Sequence, residues 1–138
     1  MKSTKLKFFI DTTVAVSALA GRNEEAWVLF ESGRRGLVSL FVNMFVLKEI
    51  RRTLKELQIS QEKINYGIEY VKECCTVRKN IPKLDLLRYN IRDKNDRPII
   101  AAAVNESAIL VIEDSMLTED AQKYIECVTP KDALKKLS

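Results

Sequence analysis

The chain has 138 residues, of which 46% are hydrophobic, and a formal net charge of +4. That is the size of one ordinary domain with enough apolar residues for a core, and the mild basicity is compatible with a polyanionic partner. Histidine is absent, which excludes Ser-His-Asp and Cys-His catalysis, paired-histidine hydrolysis and the usual zinc hydrolase sites.

Leu6–Ile10 is short and apolar and reads as a strand. Asp11 interrupts the apolar stretch too early for a signal peptide, and no run approaches the roughly 20 apolar residues of a membrane span, so a cytoplasmic protein with no membrane association is expected. Ala26, Trp27, Leu29 and Phe30 mark Glu24–Ser32 as a helix with Gly33 and Gly36 as stops, and Leu37–Val42 reads as a strand. Met44–Gln58 is the next helix, with apolar residues at 45, 46, 50, 54 and 57. Ser60 caps a further helix running to about Lys72. Cys74–Val77 can form a short strand. A helix starts at Asp93 or Asp96 and runs through Ser107, followed by a buried strand, Ala108–Ile112. Leu117–Tyr124 reads as a short helix and Ile125–Val128 as the last strand. Thr129 as N-cap and Pro130 at the first helical position open a final helix. Alternating strands and helices imply an α/β fold, a mostly parallel sheet covered on both faces. Ligands of such sheets bind beyond the carboxyl ends of the strands. The three cysteines, Cys74, Cys75 and Cys127, have no CxxC spacing and read as small buried hydrophobes in a reducing compartment.

Four carboxylates stand out against this frame. Asp11 and Asp114 each follow a strand, at the ligand-binding edge, although either taken alone can be a turn or N-cap residue. Glu49 falls among positions 45, 46, 50, 53, 54 and 57 of one helix face, inside an apolar stripe. A buried carboxylate needs a compensating partner, which is either a basic neighbour or a cation. Asp96 shares a face with positions 99, 100, 103 and 104, all apolar, while Asp93 and Asp96 also have the spacing of a capping box. Clustered carboxylates repel one another, and a hard divalent cation held by oxygen, magnesium or manganese, is their shared remedy. Such an ion beside a basic surface suits phosphodiester hydrolysis, polarising the phosphate and lowering the pKa of attacking water.

These residues resemble the PIN domain, and within it the VapC-like toxin branch. Residues 8–19, Phe8-Phe9-Ile10-Asp11-Thr12-Thr13 onward, resemble the opening motif with its first metal-binding Asp. Val46-Leu47-Lys48-Glu49-Ile50 resembles the segment bearing the second acid, Asp93-Lys94-Asn95-Asp96-Arg97-Pro98 the third, and Val111-Ile112-Glu113-Asp114-Ser115 the fourth. Cys127–Leu134 is similar to the closing strand and helix. The resemblance spans nearly the whole chain and implies one PIN-like nuclease domain over 1–138, with a three-layer α/β/α fold. It further implies Mg2+- or Mn2+-dependent endonucleolytic cleavage of RNA by Asp11, Glu49, Asp96 and Asp114, a small antitoxin partner and a homodimer.

The chain departs from the family pattern at Thr13, where Asn is frequent, at Ile112-Glu113, where a small hydroxyl residue and Gly are frequent, and at Met116, a position often acidic. Thr13 can still donate a hydrogen bond to a carboxylate, and Asp93 and Glu113 are further site-supporting acids. Arg51 and Arg52, close to Glu49, are the best candidates for RNA contacts, ahead of Arg34-Arg35, Arg78-Lys79, Arg88 and Arg92. Trp27 and Phe30 offer apolar surface for a partner, or belong to the core. A haloacid-dehalogenase phosphatase needs an Asp where Thr13 stands, and a phosphorelay receiver needs acids where Lys5 and Lys7 stand. The serious rival is a PIN fold kept as an RNA-binding or protein-docking module with little or no catalysis.

Overall fold

The computed structural model describes residues 5–138; the first four residues, part of the basic start of the chain, lie outside the described set. Five strands form one parallel sheet in the order β3-β2-β1-β4-β5. They are β1 (Lys7–Ile10), β2 (Ser39–Asn43), β3 (Cys75–Arg78), β4 (Ile109–Val111) and β5 (Cys127–Val128). The helices are α1 (Thr12–Leu19), α2 (Glu24–Arg34), α3 (Met44–Glu56), α4 (Gln61–Cys74), α5 (Lys83–Leu86), α6 (Arg97–Glu106), α7 (Ser115–Ala121) and α8 (Pro130–Leu137). The chain runs outward from β1 through β2 to β3, then crosses back to β4 and β5. Right-handed crossovers therefore place α1 to α4 on one face and α5 to α7 on the other. Among the described helices, α8 returns to pack on α2, and α6 packs against β1 and β4. The result is the expected three-layer α/β/α arrangement.

Local chemistry accounts for most boundaries. Ser60 Oγ accepts from Lys63 N–H (3.3 Å) and Thr129 Oγ1 from Asp132 N–H (3.2 Å), so both expected caps are in place. Phe8, Phe9 and Ile10 of β1 are fully buried, as a central strand covered on both faces requires.

Two expectations are corrected. Gly33 does not stop α2 but lies inside it, because a Cβ there would meet Leu40 Cδ1 at 2.5 Å and the Cys74 carbonyl at 2.7 Å. It is the close-approach point of the helix on the sheet, and Gly36, at φ 77°, makes the turn instead. Two helices, α1 and α5, go beyond the elements expected from periodicity. In α1, Val14, Ala15, Val16 and Ala18 are all buried, and only Thr13 is exposed, so the short helix shows little of a helical period. The helix expected to start at Asp93 or Asp96 does so: Asp93 caps the 3-10 turn Lys94–Asp96, its side chain accepting from Asn95 N–H (3.0 Å), and Asp96 is the N-cap of α6, whose C-cap is Ser107.

Candidate active site

β1 and β4 are neighbours, with Ile10 paired to Val111. Asp11 N–H donates to the Val111 carbonyl (3.1 Å), which holds Asp11 beside the segment leading to Asp114. The first turn of α3 is fixed by Asn43, which is fully buried. Its Oδ1 accepts from Val46 N–H (2.9 Å), and its Nδ2 donates to the Pro98 carbonyl at the start of α6 (3.4 Å). One carboxamide thus ties the helix carrying Glu49 to the helix that begins at Asp96. Sequence reasoning overlooked Asn43, although an Asn between an apolar strand and an apolar helix is an N-cap signal.

The four carboxylates line one cleft of about 510 Å3, together with Asp93, Thr12, Thr13, Phe45 and Arg52. Asp11 is 4% exposed. Burial raises its pKa, opposed by hydrogen bonds from the Thr13 hydroxyl and the Thr12 and Thr13 amides and reinforced by Asp114. The Thr13 Oγ1 donor lies 2.6 Å from Asp11 Oδ2, so Thr13 keeps the supporting contact. Asp96 is pushed up to about 7, first by burial and then by the charges of Asp93, Asp11, Asp114 and Glu49. Burial first, and the mutual repulsion of neighbouring acids second, thus disfavour the charged forms of Asp11 and Asp96. Thr12 Oγ1, also in the cleft, is buried without a hydrogen-bond partner.

Two of the four acids are engaged locally. Glu49 is half-buried at the margin of the α3 apolar face rather than inside it, because the buried positions are Val46, Leu47, Ile50 and Leu54. There it forms an ion pair with Arg52. Asp114 is exposed, and its Oδ1 accepts from Met116 N–H (2.9 Å) and Leu117 N–H (3.1 Å) at the start of α7. Consequently, among the described residues, no three Asp, Glu or Cys side chains converge closely enough to hold an ion as they stand. The donor set nevertheless fits a hard divalent cation. It is all oxygen, it includes a buried aspartate with no cationic partner, and Glu49 and Asp114 line the same cleft.

The remaining residues singled out from sequence fall elsewhere. Glu113 is exposed and accepts from Asn23 Nδ2 (2.9 Å), outside the cleft. Arg51 is exposed and does not line the cleft, whereas Arg52 does. Arg34 pairs with Glu31 (2.8 Å), and Arg92 with Asp120 (2.9 Å) and Glu119 (3.5 Å). Trp27 is 48% exposed, but Phe30 is fully buried and belongs to the core.

Against known proteins, the PIN domain family model matches residues 7–115. No curated protein matches the chain by sequence. Solved structures similar to it include VapBC2 from Rickettsia felis bound to a promoter DNA fragment, at 14% identity and TM-score 0.69, covering 90% of this chain and 98% of that one. Another is PAE2754 from Pyrobaculum aerophilum, at 14% identity and TM-score 0.71, covering 96% and 95%. A third is a PilT N-terminus domain protein from Sulfolobus solfataricus, at 11% identity and TM-score 0.57, covering 96% and 93%. At such identities the likeness establishes the fold, and the family model covers well over half of the sequence. The chain belongs to the PIN domain family.

Proposed function

We propose that this chain is a Mg2+- or Mn2+-dependent endoribonuclease acting on single-stranded or looped RNA, the toxin of a toxin–antitoxin pair. The observation that carries the reading is the cleft itself. Acids from four separate elements meet at the carboxyl edge of the sheet, and the buried one, Asp11, has no cationic partner. Asp11, Glu49, Asp96 and Asp114 would hold the ion. When bound, the ion neutralises these acids, polarises the scissile phosphate and makes water a better nucleophile. Thr13 fixes the Asp11 carboxylate, and the acids orient water through their remaining lone pairs. Arg52, standing at the same cleft, is freed for a phosphate oxygen once Glu49 turns inward. With no histidine pair to activate the ribose 2′-hydroxyl, water attacks in line and the products carry 5′-phosphate and 3′-hydroxyl ends.

Incubation of unstructured RNA with the purified protein tests this, with end-group analysis of the products. Magnesium-dependent cleavage lost in Asp11→Asn is expected; cyclic phosphate ends, or full activity in excess EDTA, would overturn the mechanism. The toxin assignment draws support from the fold shared with VapBC2 and extends to a small antitoxin and a homodimer. Expression alone should arrest growth, and Asp114→Ala should relieve the arrest. Harmless expression of an active enzyme would replace the toxin with a processing nuclease.

A further inference from the structure

A second cavity is separate from the acidic cleft. It has a volume of about 640 Å3 and opens between the end of β3, α5 and α6. Ala101, Val104 and Ile81 supply apolar lining, and Arg78, Lys79 and Arg88 contribute positive charge against a single acid, Asp85. Arg78 is committed: its Nε donates to Glu106 (2.5 Å), and its guanidinium lies over the Phe41 ring, 5.2 Å from the centroid. Lys79 and Arg88 are exposed, and neither forms an ion pair among the described residues.

This cavity adjoins the acidic cleft. Asn43, at the end of β2, pairs in register with Arg78, at the end of β3. Adjacent strands lie roughly 4.8 Å apart, so the basic pocket sits about two strand spacings from the end of β1 and Asp11. Asn80 lines the pocket, and its Oδ1 accepts from the N–H of Phe45, which lines the cleft (2.7 Å). α6 is a wall of both, presenting Ile99 to the cleft and Ala101, Val104 and Asn105 to the pocket.

We infer that the pocket bounded by Lys79, Arg88 and the outer face of α6 is a subsite for single-stranded RNA, receiving nucleotides that flank the scissile phosphate. The inference rests on the nuclease reading for its orientation, because a strand crossing the cleft at Asp11 and continuing over Asn80 enters this pocket. Its chemistry matches a nucleotide on two counts. Lys79 and Arg88 can contact phosphates, and the Arg88 guanidinium is a planar surface on which a base can stack. The apolar lining and the nearby Asn105 carboxamide suit a base more than a purely ionic partner. An acidic peptide would use the two cations but has no planar group for that surface.

Fluorescence anisotropy of labelled oligouridylate in EDTA isolates the pocket, since cleavage is then suppressed and the acidic cleft repels the strand. The double variant Lys79→Ala/Arg88→Ala should bind at least about 10-fold more weakly. Its log–log salt dependence should be shallower by about 1.4, the loss of two phosphate contacts at about 0.7 each. The Arg88 guanidinium also lies 5.8 Å from the centroid of the Tyr89 ring, so Lys79→Glu, at an exposed position remote from the core, guards against a packing effect of losing Arg88 and should weaken binding likewise. Unchanged affinity and slope in these variants, beside intact magnesium-dependent cleavage, would overturn the subsite and leave the nuclease reading standing. Weakened binding in a protein whose wild type cleaves nothing would do the reverse. Displacement of the RNA by oligoglutamate at comparable affinity, dependent on the same two residues, would reassign the pocket to an acidic peptide.

Discussion

Asp11 and Asp120 are both buried aspartates, 4% and 6% exposed, and they are opposites. Asp120, on α7, accepts from the Arg92 backbone N–H (2.9 Å) and from its guanidinium Nε (3.0 Å). Those bonds hold its carboxyl below the ordinary range. Asp11 receives only neutral donors, and burial drives its pKa upward. A carboxylate whose counter-charge is a neighbouring side chain pins the 92–93 segment to α7 and is complete. One enclosed without a counter-charge is favourable only if something else supplies it. Burial alone therefore does not distinguish a structural acid from a site acid; the identity of the partner does.

Exchanging the two residues for their amides tests that contrast most severely. Asp11→Asn should lose magnesium-dependent cleavage by more than about 100-fold, beyond the range for outer-sphere supports, while the metal-free protein remains folded. Asp120→Asn should retain cleavage chemistry and lower the thermal midpoint instead. Equal loss of activity in both, at equal stability, would dissolve the distinction.

Metal linkage comes next. Saturating magnesium or manganese should raise Tm through preferential binding to the folded state, worth about 2.7 kcal/mol at a hundred times the dissociation constant. The shift should persist in Asp120→Asn and shrink in Asp11→Asn. Differential scanning fluorimetry, with titration calorimetry where binding is weak, provides the measurement.

A smaller effect concerns pH. Asp96 stands at about 7 in the folded chain against an ordinary value of 3.8. Its protonation therefore favours the folded state, fully so below 3.8, and that contribution disappears as pH rises through 7. Metal-free protein should accordingly be less stable at pH 8 than at pH 5, with a shallower dependence in Asp96→Asn. Asp96 is only half-buried, so solvent screening keeps the slope below the about 1.4 kcal/mol per pH unit of a fully shielded group. A fully paired Asp120 should give the opposite sign, gaining its stabilising contribution as pH rises. The mildest change is Thr13→Val, which deletes one donor to Asp11 and should cost about 10-fold in activity or metal affinity.

Much of this was legible in the residues. The apolar strand before Asp11, the caps at Ser60 and Thr129, and the positions of Asp11 and Asp114 after strands depend on nearby residues and local rules. The misplacement of Glu49 came from counting half-buried Phe45 as core and leaving out Leu47. Leu47 is 1% exposed, and including it in place of Phe45 rotates the apolar face away from Glu49, leaving that residue at the margin, within reach of Arg52 three residues on. The Arg92–Asp120 pair joins residues far apart in the chain, and no spacing announces it. Gly33 reads as a stop because the reason for the glycine, the closeness of Leu40 and Cys74, exists only in three dimensions.

The pairing of β1 with β4 brings Phe8 alongside Ile109, residues about a hundred positions apart, so the loop between them must close before that contact can form. A chain folded only as far as β3 holds Asp11 and Glu49, while Asp96 and Asp114 still lie on unassembled segments. On the proposed nuclease reading, the full acid set is assembled only once β4 has paired with β1, and partly folded forms would lack it. In refolding from denaturant, cleavage should return no earlier than the slowest phase reported by the single tryptophan, Trp27; activity ahead of that phase would show that the central strands close first.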